Sequence, residues 1–276
     1  MKIKRKLRIS IALIHNKEPK RYKHIRPMLD KLKDKLSPKY DVDIFEVLKE
    51  PDIIPHKILI TLCTKFLYWK INREWMGYRG LKQRNIVIDW GLLIWRLILS
   101  FLNRAYENRR FVIESFVNDK HIRAWTQFLD KGGDYLICFE DDAFFRPDSI
   151  VNFKKFLSKL HISLEKPLYL DFAGGNSFDI LKVDALQTKS DKYCKYFRKP
   201  VTNTACAYMI NYKTAGIFLE NILKRPWLRL ISADWLLNKL FIITVPQYKY
   251  YSVHAYPHIF DHGSIKGNYA SLYKSI

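Results

Sequence analysis

The sequence predicts an α/β fold, and three observations carry that expectation. The chain opens as strand, helix, strand. Residues 7–15 (LRISIALIH) are apolar and β-branched, residues 21–36 place Ile25, Met28, Leu29, Leu32 and Leu36 at helical spacing, and residues 40–47 (YDVDIFEV) alternate. Such an opening builds a parallel sheet with a nucleotide-type crevice. Further on, the apolar run 135–139 (YLICF) leads straight into three consecutive acids, Glu140, Asp141 and Asp142, and apolar residues resume at Ala143. Neither GxGxxG nor GxxxxGK[ST] occurs, so the crevice is neither a dinucleotide fingerprint nor a P-loop.

The totals narrow the class. A chain of 276 residues suffices for one large domain or two small ones, and hydrophobic and aromatic fractions of 48% and 15% argue for a folded core. The net charge of +21 attracts anions: nucleic acid, an anionic membrane surface or an anionic small molecule. No zinc-finger or RNA-recognition signature accompanies it, so nucleic acid is not the expected partner. Cys63, Cys138, Cys194 and Cys206 form no CxxC pair and read as reduced core cysteines of a cytosolic protein. The apolar piece 9–14 is too short for a signal sequence, and Arg96 interrupts the longest apolar stretch, 90–102, so no membrane span is expected.

The elements follow in order. Residues 16–19 (NKEP) read as a turn, and Ser37-Pro38 ends the first helix. Segments 58–69 and 86–102 are apolar on most faces, carry Trp69, Trp90 and Trp95, and are flanked by arginines. They are either two helices buried in packing or a surface resting in a membrane interface, with Trp at headgroup depth. Residues 111–129 read as a helix, stopped by Gly132-Gly133. After the acids, Pro147 opens a helix over 149–160, and residues 168–172 form a short strand. Gly174-Gly175-Asn176 then make either a plain turn or a close backbone approach to a ligand. A strand over 202–211, a helix over 214–223 and a helix start carrying Asp234 come next. Strands are expected over 240–245 and 248–253, and residues 254–271, rich in Gly, His and Ser, read as a loop over a site.

Three carboxylates at the end of a core strand repel one another and lose solvation, and a divalent cation relieves both costs. An isolated acidic triplet can also be a helix cap with two solvated neighbours; the apolar strand in front points to the metal.

The order of motifs resembles family 25 glycosyltransferases, the lipooligosaccharide galactosyltransferases among them. His121-Ile-Arg-Ala-Trp125 is similar to their SHxxxW helix, with Lys120 where the family has Ser. Residues 136–143 (LICFEDDA) are similar to their LEDD strand end. Residues 202–210 (TNTACAYMI) followed by Ala215 are similar to a GTxAYxI…A segment, without its Gly, and Asp234-Trp235 resembles an acid before an apolar helix. Arg21 and Arg26 match the family's opening.

The resemblance implies a GT-A fold, that is, a Rossmann-like nucleotide-sugar-binding single domain over 1–276 with a helical insertion at about 51–110. Residues 1–145 would be the nucleotide-binding half and 146–276 the acceptor-binding half. It also implies a UDP-sugar donor such as UDP-galactose and a Mn²⁺ or Mg²⁺ ion. The acceptor would be a lipopolysaccharide, capsule or other surface glycan, met by a peripheral enzyme at the anionic cytoplasmic face of the plasma membrane.

Within that frame Asp142 is expected as the chief metal ligand, Asp141 as a second, and Glu140 or Asp141 as a donor contact. His262 is expected to complete the metal site, with His254 and His258 as rivals and a plain surface loop as the bland alternative. Lys266 and Arg21 are expected on the donor's phosphates. Direct displacement with inversion needs a base near the acceptor hydroxyl, and Asp234, an acid in an apolar stretch, suits it; the structural alternative is a helix N-cap. A metal-dependent phosphodiesterase or nuclease, and an inactive glycan-binding module of transferase type, are the competing functions.

Overall fold

The computed structural model describes residues 5–48, 58–160, 163–175 and 178–269. The opening unit is β1 (Arg8–Ile14), α1 (Pro19–Leu36) and β2 (Asp41–Val47). The Glu18 carboxylate starts α1 by accepting the free N–H groups of Lys20 and Arg21, and Pro19 sits where no N–H is needed. Three helices follow: α2 (Ile58–Tyr78), α3 (Ile86–Leu102) and α4 (Arg104–Asp130). α2 and α3 lie within 51–110, whereas α4 runs on past it and covers the helix expected over 111–129. The chain then forms β3 (Tyr135–Glu140), β4 (Ala143–Phe145), α5 (Ser149–Lys159), β5 (Leu168–Asp171), β6 (Ala173–Gly174) and α6 (Phe178–Leu181). A polar hairpin, β7 (Gln187–Ser190) with β8 (Cys194–Phe197), leads to β9 (Ala207–Asn211), α7 (Tyr212–Lys224) and α8 (Ala233–Thr244). β10 (Tyr251–Ala255), β11 (Phe260–His262) and α9 (Gly263–Lys266) complete the described chain.

Eight strands make one sheet in the order β2-β1-β3-β9-β5-β10-β8-β7. The α/β class holds, but the sheet is mixed. β1 runs parallel to β2 and β3, whereas β9 lies antiparallel to both β3 and β5. Both faces of the central strands are covered, which is why β3 reads as an unbroken apolar run, whereas the edge strands β2 and β7 do not. Along β3, Tyr135, Ile137 and Phe139 face a core shared with α1 and α5, while Leu136 and Cys138 face one shared with α4, α7 and α8.

Several expectations are corrected. Residues 240–244 belong to α8: Ile242, Ile243 and Thr244 are β-branched, but Leu236, Leu237, Leu240, Phe241 and Thr244 are all buried, and their spacing is helical. The β7–β8 hairpin gives no sequence signal, because β7 is polar and exposed and carries no apolar alternation. Cys63 is exposed on α2, unlike the three other cysteines. The region after residue 254 is not all loop, since β11 and α9 lie within it; Asn176 and residues beyond 269 lie outside the described residues.

A second sheet has three strands, in the order β4-β11-β6. β11 pairs antiparallel with β4 and sets His262 opposite Ala143. A residue from the end of the chain thereby stands beside the acids at the end of β3.

Candidate active site

The acids sit where the large sheet splits. The Glu140 N–H donates to Cys206 O (2.9 Å), following the β9 side, while the Asp141 N–H donates to Ile14 O (2.9 Å), following β1. The three consecutive carboxylates therefore leave the strand in different directions and meet different partners.

Glu140, Asp142 and His262 come together, with ligand atoms all within 4.8 Å of one another. Ser264 Oγ donates to Asp142 Oδ2 at 2.7 Å, and His262 Nδ1 lies 3.3 Å from that oxygen. Asp142 Oδ1 and His262 Nδ1 are buried, yet neither has a hydrogen-bond partner among the described residues. Buried polar atoms without partners are costly and rare. Two carboxylates and an imidazole converging on one point are the donor set of a divalent cation, and the orphaned atoms are the ones such an ion would engage. Close backbone contact builds the corner: a Cβ on Gly263 would stand 2.8 Å from Asp142 O, and the Gly263 N–H donates to that same carbonyl.

Asp141 is not in this group, against the expectation of a second ligand. Its Oδ1 accepts from Arg21 Nη1 at 2.9 Å and its Oδ2 from the Asn16 N–H at 3.0 Å. Arg21, also expected on the donor, is buried in that ion pair and reaches Ser264 Oγ at 3.3 Å. Asp141 and Arg21 thus tie α1 and the β1 loop to this corner, and Glu140, not Asp141, stands with Asp142 and His262 in the cluster.

Glu140 is held by a relay that reading the sequence as separate motifs does not reveal. His121 and Trp125, one turn apart on α4, both reach Tyr208 OH on β9, through Nδ1 at 2.8 Å and Nε1 at 2.9 Å. The indole can only donate, so the phenol accepts from Trp125, which leaves its own proton available to His121 Nδ1. His121 Nε2 then carries the imidazole proton and donates it to Glu140 Oε1 at 2.9 Å. Burial, reinforced by the nearby Lys120 ammonium, pushes the His121 pKa down to about 3, which keeps the ring neutral as this chain requires. Desolvation, then repulsion from Asp142, pushes Glu140 up to about 8.

A cavity of about 790 Å³ opens over these groups. Asp234 lines it from the first turn of α8, half-buried, with Oδ1 accepting from Ser232 Oγ at 2.7 Å. The helix N-cap is Ser232, so Asp234 is not the cap residue. Lys120 also lines the cavity; its ammonium donates to His15 O at 2.8 Å and to Asn16 Oδ1. Burial brings its pKa down to about 8, against the opposing pull of Asp141 and Glu140.

The remaining candidates lie elsewhere. Lys266 is exposed and does not line the cavity. His254 is buried in the core with Nε2 on Val201 O at 2.9 Å, and His258 Nε2 bonds Asp261 at 2.9 Å; neither joins the cluster. The glycines at 174 and 175 approach protein closely: a Cβ there would meet the His258 ring at 2.3 Å and Thr204 at 2.0 Å. In the sequence Lys120 stands out only as a departure from a motif, and its reach under β1 depends on helix placement that spacing does not encode.

No family model matches the chain, and no curated protein matches it. Among solved structures, it is similar to the crystal structure of a glycosyltransferase involved in the glycosylation of the major capsid of PBCV-1. The match has 9% identity and a TM-score of 0.38, and covers 92% of this chain and 91% of that one. An overlap this loose bears on neither activity nor ligand, which rest on the residues of the site.

Proposed function

We propose that the protein is a metal-dependent glycosyltransferase of GT-A type. It would transfer a hexose, with inversion, from a nucleoside-diphosphate sugar of the UDP class to a hydroxyl of a surface glycan. The observation that carries the reading is the convergence of Glu140, Asp142 and His262 at the end of a central strand, with two buried ligand atoms lacking partners. The sequence resemblance to family 25 transferases agrees with it.

Glu140, Asp142 and His262 would hold Mn²⁺ or Mg²⁺; the ion, when bound, neutralises charge gathering on the departing diphosphate. The chain's own residues do the rest. Ser264 and the Arg21–Asp141 pair fix the Asp142 carboxylate and the β1 loop around it. The Trp125–Tyr208–His121 relay engages Glu140 Oε1, so Oε2 would be the oxygen left to hold the ion. Lys120, a buried cation on the cavity wall, replaces Lys266 as the residue suited to the donor's phosphates. Asp234 engages Ser232 through Oδ1, so Oδ2 is the atom that takes the acceptor hydroxyl's proton as the new bond to the anomeric carbon forms.

The test is a thermal-shift series with nucleoside diphosphates and nucleotide sugars, with and without Mn²⁺. A ligand that binds the native state raises the melting temperature by mass action. A shift confined to one nucleotide family and requiring Mn²⁺ is expected. No shift with any nucleotide, beside a shift with RNA or DNA, would replace the transferase by a nuclease.

A further inference from the structure

More than half of the exposed large hydrophobic side chains among the described residues belong to one helix, α3. Val87, Trp95, Phe101 and Leu102 are 73%, 57%, 65% and 71% exposed. The fully buried stripe of this helix consists of Asp89, Leu93 and Ser100. Asp89 pairs with Arg73 of α2, and Ser100 Oγ returns its bond to Arg96 O. The polarity is therefore inverted. The side facing protein carries an acid and a hydroxyl beside Leu93, and the side facing outward carries Ile, Leu, Trp and Phe, with Arg96 at its edge. A helix of a water-exposed surface does the opposite. At 100° per residue, the exposed positions sweep roughly 240° of the circumference, far more than the single face a helix offers to one packed neighbour.

We infer that α3 rests in the headgroup–acyl boundary of an anionic bilayer. The geometry favours lying over spanning. Seventeen residues extend about 25 Å, short of the roughly 30 Å hydrocarbon core. A single residue, Asn103, joins α3 to α4, so the chain returns at once to the protein body. Among the described residues no helix is long and apolar enough to cross a membrane. Charge selects the surface. Lys70, Lys82, Arg84 and Arg96 are exposed around α3, whereas the neighbouring acids Asp89, Glu107 and Glu114 are paired with Arg73, Lys65 and Arg110. A second copy of the chain fits less well, since two +21 molecules repel and one partner cannot cover so wide an arc.

Docking there has a consequence for the site. A cavity of about 450 Å³ lies between α2, α3 and α4, lined by Arg96, Leu99 and Ser100 of α3. It shares Arg110, Glu114 and Trp235 with the cavity over Asp142. A headgroup held under α3 would thus stand across that shared wall from Asp234. This second step rests on the transferase reading and makes the acceptor a lipid-linked glycan.

The experiment is co-flotation of the purified protein with phosphatidylcholine vesicles, with or without phosphatidylglycerol, comparing wild type with the double variant Trp95→Glu/Leu102→Glu. Both positions are exposed, so the fold is not at stake. Wild type should float with the phosphatidylglycerol vesicles and show a blue shift of tryptophan emission; the variant should partition about tenfold less. Equal flotation of both proteins, or none by wild type, would overturn the inference. So would a concentration-dependent dimer in sedimentation that the variant abolishes while vesicles are ignored. The Mn²⁺-dependent nucleotide shift should be unchanged in the variant. Its absence in both proteins would remove the transferase reading and leave the membrane result standing.

Discussion

The corner of Glu140, Asp142 and His262 and the helix α3 are left incomplete by folding in opposite senses. At the corner, polar atoms are buried and two of them, Asp142 Oδ1 and His262 Nδ1, have no hydrogen-bond partner among the described residues. On α3, apolar side chains have no cover, although the protein's own interior is packed on both faces of its main sheet. Either deficit is costly in water: the first through desolvation without compensation, the second through exposed apolar area. Six other buried polar atoms among the described residues also lack partners, but only at this corner do two such atoms belong to a cluster of potential metal ligands, where a cation could supply the missing contacts as an apolar medium could for α3.

If that contrast is right, substitutions at the two places separate cleanly. Asp142→Asn keeps the shape and removes the charge. Transfer should fall on the order of 10³-fold, and Mn²⁺ should no longer raise the melting temperature with nucleotide. A variant with unchanged metal dependence would dissolve the comparison at its polar end. Asp234→Asn should act differently, lowering turnover about 10²-fold while nucleotide binding persists, the size expected for loss of a general base. Loss of donor binding in this variant would move Asp234 out of that role.

A smaller effect tests the relay behind Glu140. Tyr208→Phe removes the oxygen that Trp125 Nε1 and His121 Nδ1 both engage, all in the core. Urea denaturation should show a loss of about 1–3 kcal/mol. A neutral result would mean that the imidazole orients without the phenol.

How much of this was legible in the sequence depended on the range of the interaction. The apolar run into Glu140, Asp141 and Asp142 placed the site because a strand signal and the acids are contiguous. The assignment among the three acids was not legible, since it follows from which neighbour each meets as the sheet splits. Asp141 went to Arg21 through the placement of α1, not through spacing. His262 could be named as one of three histidines, but it is singled out by the pairing of β11 with β4, two three-residue strands too short to show any period. The surroundings of α3 remained open for a related reason. Composition shows that a segment is apolar on most faces; only the packing of α2 and α4 shows how little of it they cover.

The least conspicuous prediction concerns pH, and it probes the corner without changing its shape. Burial and the Asp142 charge raise Glu140 from the 4.5 of an unfolded chain to about 8. Between those values the folded protein keeps a proton that the unfolded chain has released, so metal-free stability should fall as pH rises through that window. A divalent cation reverses the preference, because its ligand must be the carboxylate, and binding expels the proton. The Mn²⁺-induced rise in melting temperature should therefore be larger near about pH 8.5 than near about pH 6. Glu140→Gln can still accept from His121 but has no proton to lose, so both the pH slope assigned to this group and the pH-dependent increment should vanish together. If the slope survived in that variant, the buried Asp171, pushed up to about 7 mainly by burial, would be its source, and Glu140 would be an ordinary cavity-wall carboxylate with no cation to wait for.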